Sequence, residues 1–270
     1  MTTVSSNRQH LIDEKFDTDI SKLDYSNKLM LRLIAKDKKF EKVNFRYTIF
    51  DSCYLRNCIF DSCDFTGCRF IGVNFYGSKF GGCTFNYATF ERTIIGSAIL
   101  DNSCPGWDNL KLKFARSLRI NFQQLGDSES ANRAIKVELD ATEIHLRKSW
   151  KSNESYYRKK YSGLKRIGKF FQWTNFKLLD FIWGNGENTL KLIRSVFIVL
   201  LSMTFIDVYK FKNINKIGDY INSFLQMPEV FLGVFSPTAY PKWYLALIFF
   251  FRLVAIGFFM SIIIKRFNRR

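Results

Sequence analysis

A large apolar residue recurs at every fifth position from Phe40 to Leu100: Phe40, Phe45, Phe50, Leu55, Phe60, Phe65, Phe70, Phe75, Phe80, Phe85, Phe90, Ile95 and Leu100. Helical faces repeat at about 3.6 residues and strand faces at 2, so a strict period of five belongs to neither. It demands a repeat architecture, in which each short unit buries its apolar side only by stacking on the next. Two residues before most of these positions stands something small: Cys53, Cys58, Cys63, Cys68, Ser78, Cys83, Ala88 and Ala98. A large and a small inward residue together fill a narrow lumen without voids. Stacked coils also pair the backbone groups that a lone turn leaves open.

This pattern resembles the pentapeptide-repeat family. The resemblance implies a short right-handed quadrilateral β-helix over residues 38–104 with four pentapeptides per coil, and hence Phe40, Phe60, Phe80 and Leu100 in one vertical stack. Five of the six cysteines fall at the small inward position, which assigns them to packing rather than to disulfides. Their spacing also fits no zinc pattern, which needs two to four residues between paired ligands, and no cofactor is expected. Residues 1–37, with Leu23, Leu29, Leu31, Leu33 and Ile34, read as a short helical cap over a coil edge that would otherwise invite pairing with another chain.

The 270 residues carry 41 basic and 24 acidic side chains, a net +17. The excess lies outside the repeats. Residues 38–104 hold 8 basic and 6 acidic groups, residues 111–170 hold 15 and 6, and residues 171–270 hold 12 and 5. Some pentapeptide-repeat proteins resemble duplex DNA as acidic rods in a topoisomerase groove, and a short, slightly basic coil speaks against that role.

The last third of the chain reads as membrane. Residues 190–209 and 243–264 are apolar stretches which, at about 1.5 Å per residue, each reach roughly 30 Å, the thickness of a bilayer's hydrocarbon core. Tyr209 ends the first, and Trp243 with Tyr244 opens the second, as aromatic belts do. Lys191 and Arg194 precede the first span, and Lys265, Arg266, Arg269 and Arg270 follow the second. By the positive-inside rule both termini and the repeats are cytoplasmic, although Lys210, Lys212, Lys216 and Lys242 lie in the connecting loop. No N-terminal signal sequence is read.

Between the spans, residues 220–232 are apolar but too short to cross, and Gly233-Val234-Phe235-Ser236-Pro237 follows. Span, short re-entrant helix, glycine-containing strand and span, in that order, resemble the pore module of the potassium-channel superfamily. The likeness implies a two-span pore domain over 184–270, conduction of inorganic ions and a homotetramer around a shared lumen. A potassium filter reads Thr-Val-Gly-Tyr-Gly, whereas this chain has Phe231-Leu232-Gly233-Val234-Phe235-Ser236, with one glycine. A wider, weakly selective pore is expected, closed by dewetting at Phe231 or Phe235. Arg252 falls mid-span and requires a pore, a neighbouring subunit or a partner such as Asp207 or Glu229. Glu229, after Pro228, either caps the re-entrant helix near its start or joins a ring that attracts cations.

Residues 105–183 form a basic helical connector. Gly126 suits a helix C-cap and Asp127 or Ser128 an N-cap, giving a helical hairpin. Phe122-Gln123-Gln124-Leu125-Gly126-Asp127 and the later turn Gly184-Asn185-Gly186-Glu187 resemble the connector of bacterial proteins that fuse pentapeptide repeats to a two-span ion channel. That likeness implies a bacterial inner-membrane channel, and by analogy with anti-phage defence effectors one gated by a nucleotide signal. Basic residues alternate with aromatics from Arg147 to Phe171. The candidate contacts to an anionic nucleotide or oligonucleotide are Arg147, Lys148, Arg158, Lys159, Lys160, Lys165, Arg166 and Lys169. The bland alternative is a juxtamembrane segment resting on anionic lipid. The rival class is a membrane-anchored interaction scaffold without conduction. The two histidines, with His145 read as a surface residue, support no enzymatic site, and no phosphate loop or nucleophile motif appears.

Overall fold

The computed structural model describes residues 8–267 and divides into two compact units, Met1–Lys169 and Phe170–Arg270. Arg269 and Arg270, used above to orient the spans, lie outside the described residues.

The first unit opens as a parallel-strand β-solenoid of about four turns. Its strands are β1 (His10–Ile12), β2 (Ile20–Ser21), β3 (Leu29–Leu31), β4 (Ile34–Lys36), β5 (Lys39–Glu41) and β6 (Ile49–Asp51). Then come β7 (Tyr54–Arg56), β8 (Ile59–Asp61), β9 (Arg69–Ile71), β10 (Lys79–Gly81) and β11 (Thr89–Glu91). One face stacks β1-β3-β6-β9-β11, a second β4-β7 and a third β10-β8-β5-β2. The fourth is a ladder of single bridges through Asp24, Asn44, Asp64 and Thr84. In the body of the solenoid partners are twenty residues apart, as in Phe40↔Phe60 and Phe50↔Phe70.

The phenylalanines stack along the axis as the period demands. Ring centroids are 4.8 Å apart for Phe40 and Phe60, 5.1 Å for Phe45 and Phe65, and 5.2 Å for Phe50 and Phe70. Each such buried ring contributes about 1.5–3 kcal/mol. Two residues after each inward position the chain turns a corner in the left-handed region, at every fifth residue from Lys22 to Arg92. Glycine fills four of these corners, and at Gly77 a Cβ would lie 2.1 Å from Asn57 Oδ1 of the coil below, so a larger residue there would have to turn that side chain aside.

Two expectations are corrected here. The segment read as a helical cap is solenoid from His10 onward, with β1 to β4 in place of a helix. Its inward residues are Leu11, Phe16, Ile20, Tyr25, Met30 and Ala35. The first coil pairs with the next at nineteen residues, His10↔Leu29, while Ile20↔Phe40 is at twenty, so one residue is missing between Phe16 and Ile20. At the other end Leu100 is buried in a short helix, α1 (Ile99–Asn102), and does not extend the phenylalanine stack as a strand residue.

The connector is helical, with α2 (Asp108–Gln124), α3 (Ser128–Lys151), α4 (Ser155–Lys160) and α5 (Leu164–Trp183). Gly126 at φ 72° ends α2, with Asp127 N bonded to Phe122 O and Gly126 N to Gln123 O. The Asp127 carboxylate then accepts from Ser130 N at 3.0 Å and starts α3. Helix α2 also closes the solenoid: Phe114 packs on Phe85 and Phe90, and three α2 side chains bond the last coil. Asn121 accepts from Thr93 N at 2.7 Å and donates to Thr93 O at 2.8 Å, Ser117 accepts from Phe90 N, and Gln124 from Arg92 N.

The second unit begins within α5 and continues through a 3-10 turn at Gly184–Gly186 to α6 (Thr189–Phe211), α7 (Ile217–Leu232) and α8 (Lys242–Phe267). The Asn188 side chain caps α6 by accepting from Leu190 N and Lys191 N. Helices α6 and α8 are long and apolar enough to span a membrane, and only 28% and 11% of their apolar windows are buried within the chain.

Candidate functional site

Helix α7 lies between the two apolar helices in sequence and packs between them through Met203 of α6, Met227, Val230 and Phe231 of its own, and Ile248 of α8. Phe231 is therefore part of the unit's core, packed among residues of α6, α7 and α8. Pro228 sits inside α7, and Glu229 lies in the last turn rather than near the start. Its side chain is exposed, while its carbonyl accepts from Val234 N at 2.9 Å and Phe235 N at 3.3 Å.

The helix stops at Gly233, whose φ of 79° only glycine adopts without strain. Val234, Phe235 and Ser236 follow as exposed irregular backbone, not the strand expected there. Arg252 does not pair with Asp207 or Glu229. Its guanidinium donates from Nη1 to the Leu232 carbonyl at 2.7 Å and lies 4.8 Å from the Phe249 ring, so it caps the C-terminal end of α7, where the helix dipole is negative. A Cβ on Gly233 would lie 1.9 Å from that nitrogen.

Asp207 belongs to a network that the sequence did not single out. It accepts from Ser223 Oγ at 2.7 Å and Tyr240 hydroxyl at 2.6 Å, and lies 3.0 Å from Lys212 Nζ. These four residues tie the end of α6 to α7 and to the approach of α8. The signal was an acid near the end of an apolar span, which requires partners.

In the connector, the eight predicted cations divide by partner. Arg158 donates to the Ser149 and Lys148 carbonyls, and Arg166 to the Trp150 carbonyl, so both cap α3. Lys148 pairs with Asp108 at 2.8 Å, which raises its pKa. Lys160 donates to the Tyr156 hydroxyl and faces the Tyr156 and Tyr161 rings, and Lys169 lies 5.2 Å from the Tyr161 ring. Arg147, Lys159 and Lys165 are exposed. His145 is half-buried against Tyr157 rather than on the surface, and burial with Lys160 and Lys169 nearby lowers its pKa. Helix α5 has no buried residue and leaves Leu164, Phe171, Leu178 and Phe181 exposed.

The six cysteines are free. The five in the solenoid do more than fill space: each thiol donates to a carbonyl of the coil below, as Cys68 to Phe45 at 2.9 Å and Cys63 to Phe40 at 3.3 Å. Thr48 and Ser78 make the same bond with a hydroxyl, at 2.6 Å. Burial pushes the Cys53 thiol up to about 11 and Cys68 higher still.

No curated protein matches the chain. Among solved structures it is similar to QnrB1, a plasmid-mediated fluoroquinolone resistance protein, at 16% identity over 33% of this chain, with a TM-score of 0.22. The chain spans 62% of that structure's length. It is also similar to a pentapeptide-repeat protein from the thylakoid lumen of Arabidopsis thaliana, at 16% identity over 37% of this chain and 76% of that one, with a TM-score of 0.18. The family model for pentapeptide repeats matches eight copies across residues 39–77 and 48–86. With the five-residue corners and stacked phenylalanines described above, this match makes the solenoid of the first unit a pentapeptide-repeat domain.

Proposed function

We propose that the chain is one subunit of a membrane ion channel whose pore segment is α7 with residues 233–236, carried between the spans α6 and α8. The observation that supports this most is the end of α7. A helix too short to cross a bilayer stops at Gly233 and is capped by the mid-span Arg252, with exposed irregular backbone after it. In hydrocarbon such backbone is tolerated only against protein or a water-filled lumen, and several copies around an axis supply the lumen. Four is the number carried over from the potassium-channel resemblance. Glu229, Val234, Phe235 and Ser236 are exposed at this end of the segment and are the side chains assigned here to face permeating ions. The exposed apolar face of α5, beside the basic connector, fits a helix resting on the cytoplasmic membrane surface.

The connector supplies the regulatory surface of this reading. An anionic cytosolic ligand, a nucleotide or oligonucleotide as in anti-phage defence, meets the exposed cations Arg147, Lys159 and Lys165. The test is a planar-bilayer recording of the purified full-length protein under ion gradients, with and without an oligonucleotide. Current with a defined reversal potential is expected, and a triple reversal at Arg147, Lys159 and Lys165 removes the ligand response while leaving conduction. Absence of current under every condition leaves the spans as an anchor for a pentapeptide-repeat scaffold.

A further inference from the structure

The end of the second unit where α6 begins and α8 finishes holds groups that conduction does not use. A cavity of about 240 Å³ runs from there toward mid-span among α5, α6, α7 and α8, walled by Phe181, Ile182, Phe231, Val254, Ala255 and Phe258. Ser195 also lines it, but its hydroxyl already donates to the Ile182 and Lys191 carbonyls. An apolar cavity of about 150 Å³ stays dry and takes a benzene, so this larger one accommodates a short length of hydrocarbon. A polar metabolite would leave its own groups unpaired there.

Phe258 carries the wall of the cavity to the turn before α6, because the Trp183 ring stacks on it at 4.4 Å and 19°. At that turn the Trp183 Nε1 and Asn185 Nδ2 donors are buried with no partner among the described residues. Asn185 is held in the left-handed region between two glycines, at φ 53°. Three cations surround the same turn. Lys191 pairs with Asp180 at 2.7 Å, Lys265 lies 5.5 Å from the Trp183 ring and 3.8 Å from Glu187, and Arg194 lies over the Phe181 ring at 4.3 Å. Among the described side chains, Lys191, Arg194 and Lys265 against Asp180 and Glu187 leave a positive excess at this turn.

We propose that this is a binding site for one anionic phospholipid. An acyl chain occupies the cavity, and Lys191, Arg194 and Lys265 at its mouth meet the phosphate. The site rests on the membrane reading of α6 and α8 given above. It places a lipid where α5 enters the first span, so bilayer composition would set how firmly the connector is joined to the spans.

The test is native mass spectrometry of the purified full-length protein in detergent, titrated with phosphatidylglycerol, with phosphatidylcholine of the same chains, and with glycerol phosphate. One phosphatidylglycerol per chain is expected to bind at least about thirtyfold more tightly than phosphatidylcholine, the preference that two or three surface cations confer. Glycerol phosphate alone is not expected to compete. Ala255→Trp fills the cavity and should abolish both lipids. Lys191→Gln with Arg194→Gln changes only exposed or half-exposed side chains and should equalise the two lipids without abolishing them. Equal binding of the two lipids by the parent protein, competition by glycerol phosphate, or phosphatidylglycerol binding unchanged in both variants would overturn the site. A protein that stays monodisperse after detergent is removed would instead overturn the membrane reading itself.

Discussion

Replacing Asn121 by leucine tests how the last coil of the solenoid is closed. Asparagine at this position is fully buried and answers both the N–H and the C=O of Thr93, at 2.7 and 2.8 Å. Leucine has about the same size and no polar atom, so the α2 interface stays filled while two buried backbone groups lose their partners. Each orphaned group costs about 1–3 kcal/mol, giving about 2–6 kcal/mol in all. Since about 1.4 kcal/mol is a factor of ten, local opening should become at least about thirtyfold more frequent. Hydrogen exchange of the intact protein, followed by mass spectrometry on peptides spanning residues 85–95, reads this directly. Ser117→Ala orphans only the Phe90 N–H and should give about half the effect in free energy. An acceleration below about threefold for Asn121→Leu, or one equal to that of Ser117→Ala, would refute the view that α2 closes the solenoid by replacing a missing coil's hydrogen bonds.

Other outcomes follow from the same packing. The five solenoid thiols should resist an aromatic disulfide reagent in the native protein while half-buried Cys104 reacts, and denaturant should release all six. Because burial raises the folded pKa of Cys53 from 9.0 to about 11, its contribution to stability is intact below pH 9 and is lost as pH climbs toward 11, so urea midpoints should fall across that window. Gly233→Ala forces a left-handed alanine, at about 1–3 kcal/mol, and displaces the Arg252 guanidinium from the Leu232 carbonyl. Its effect on the melting temperature in detergent should be less than additive with Arg252→Ala, and strict additivity would separate the two residues. Phe65→Asp places an unpaired charge between the Phe45 and Phe85 rings and should leave the solenoid unfolded, which circular dichroism and exchange would show.

The repeats were legible because their constraint is local and recurs: one inward phenylalanine every fifth residue needs no knowledge of what lies far away. The same series runs backward through Met30, Tyr25 and Ile20, but Ala35 interrupts its bulk and the step from Phe16 to Ile20 is one residue short, so the first coil looked like something else. Periodicity detects size, and an alanine under Leu55 satisfies the stack without being large. The capping hairpin around Gly126 and Asp127 was readable because turn chemistry is local as well. The partner of Arg252 was not, since a backbone carbonyl at a helix end carries no side-chain signature. Nor was the engagement of Arg158 and Arg166 with α3, for a run of cations looks the same whether it faces solvent or caps a helix.

The nineteen-residue pairing of the first coil has a consequence for how such a domain changes length. Each coil is a repeated step of twenty residues that raises the stack by about 4.8 Å, the distance between paired strands. Whole steps can be gained or lost with every ring still above another, so height is a countable quantity. A single-residue loss, such as the one between Phe16 and Ile20, is taken up within one corner, because Leu11 beyond it still pairs in register with Met30. The height of the column therefore changes in whole coils, while a corner absorbs an isolated slip without shifting the strands on either side of it.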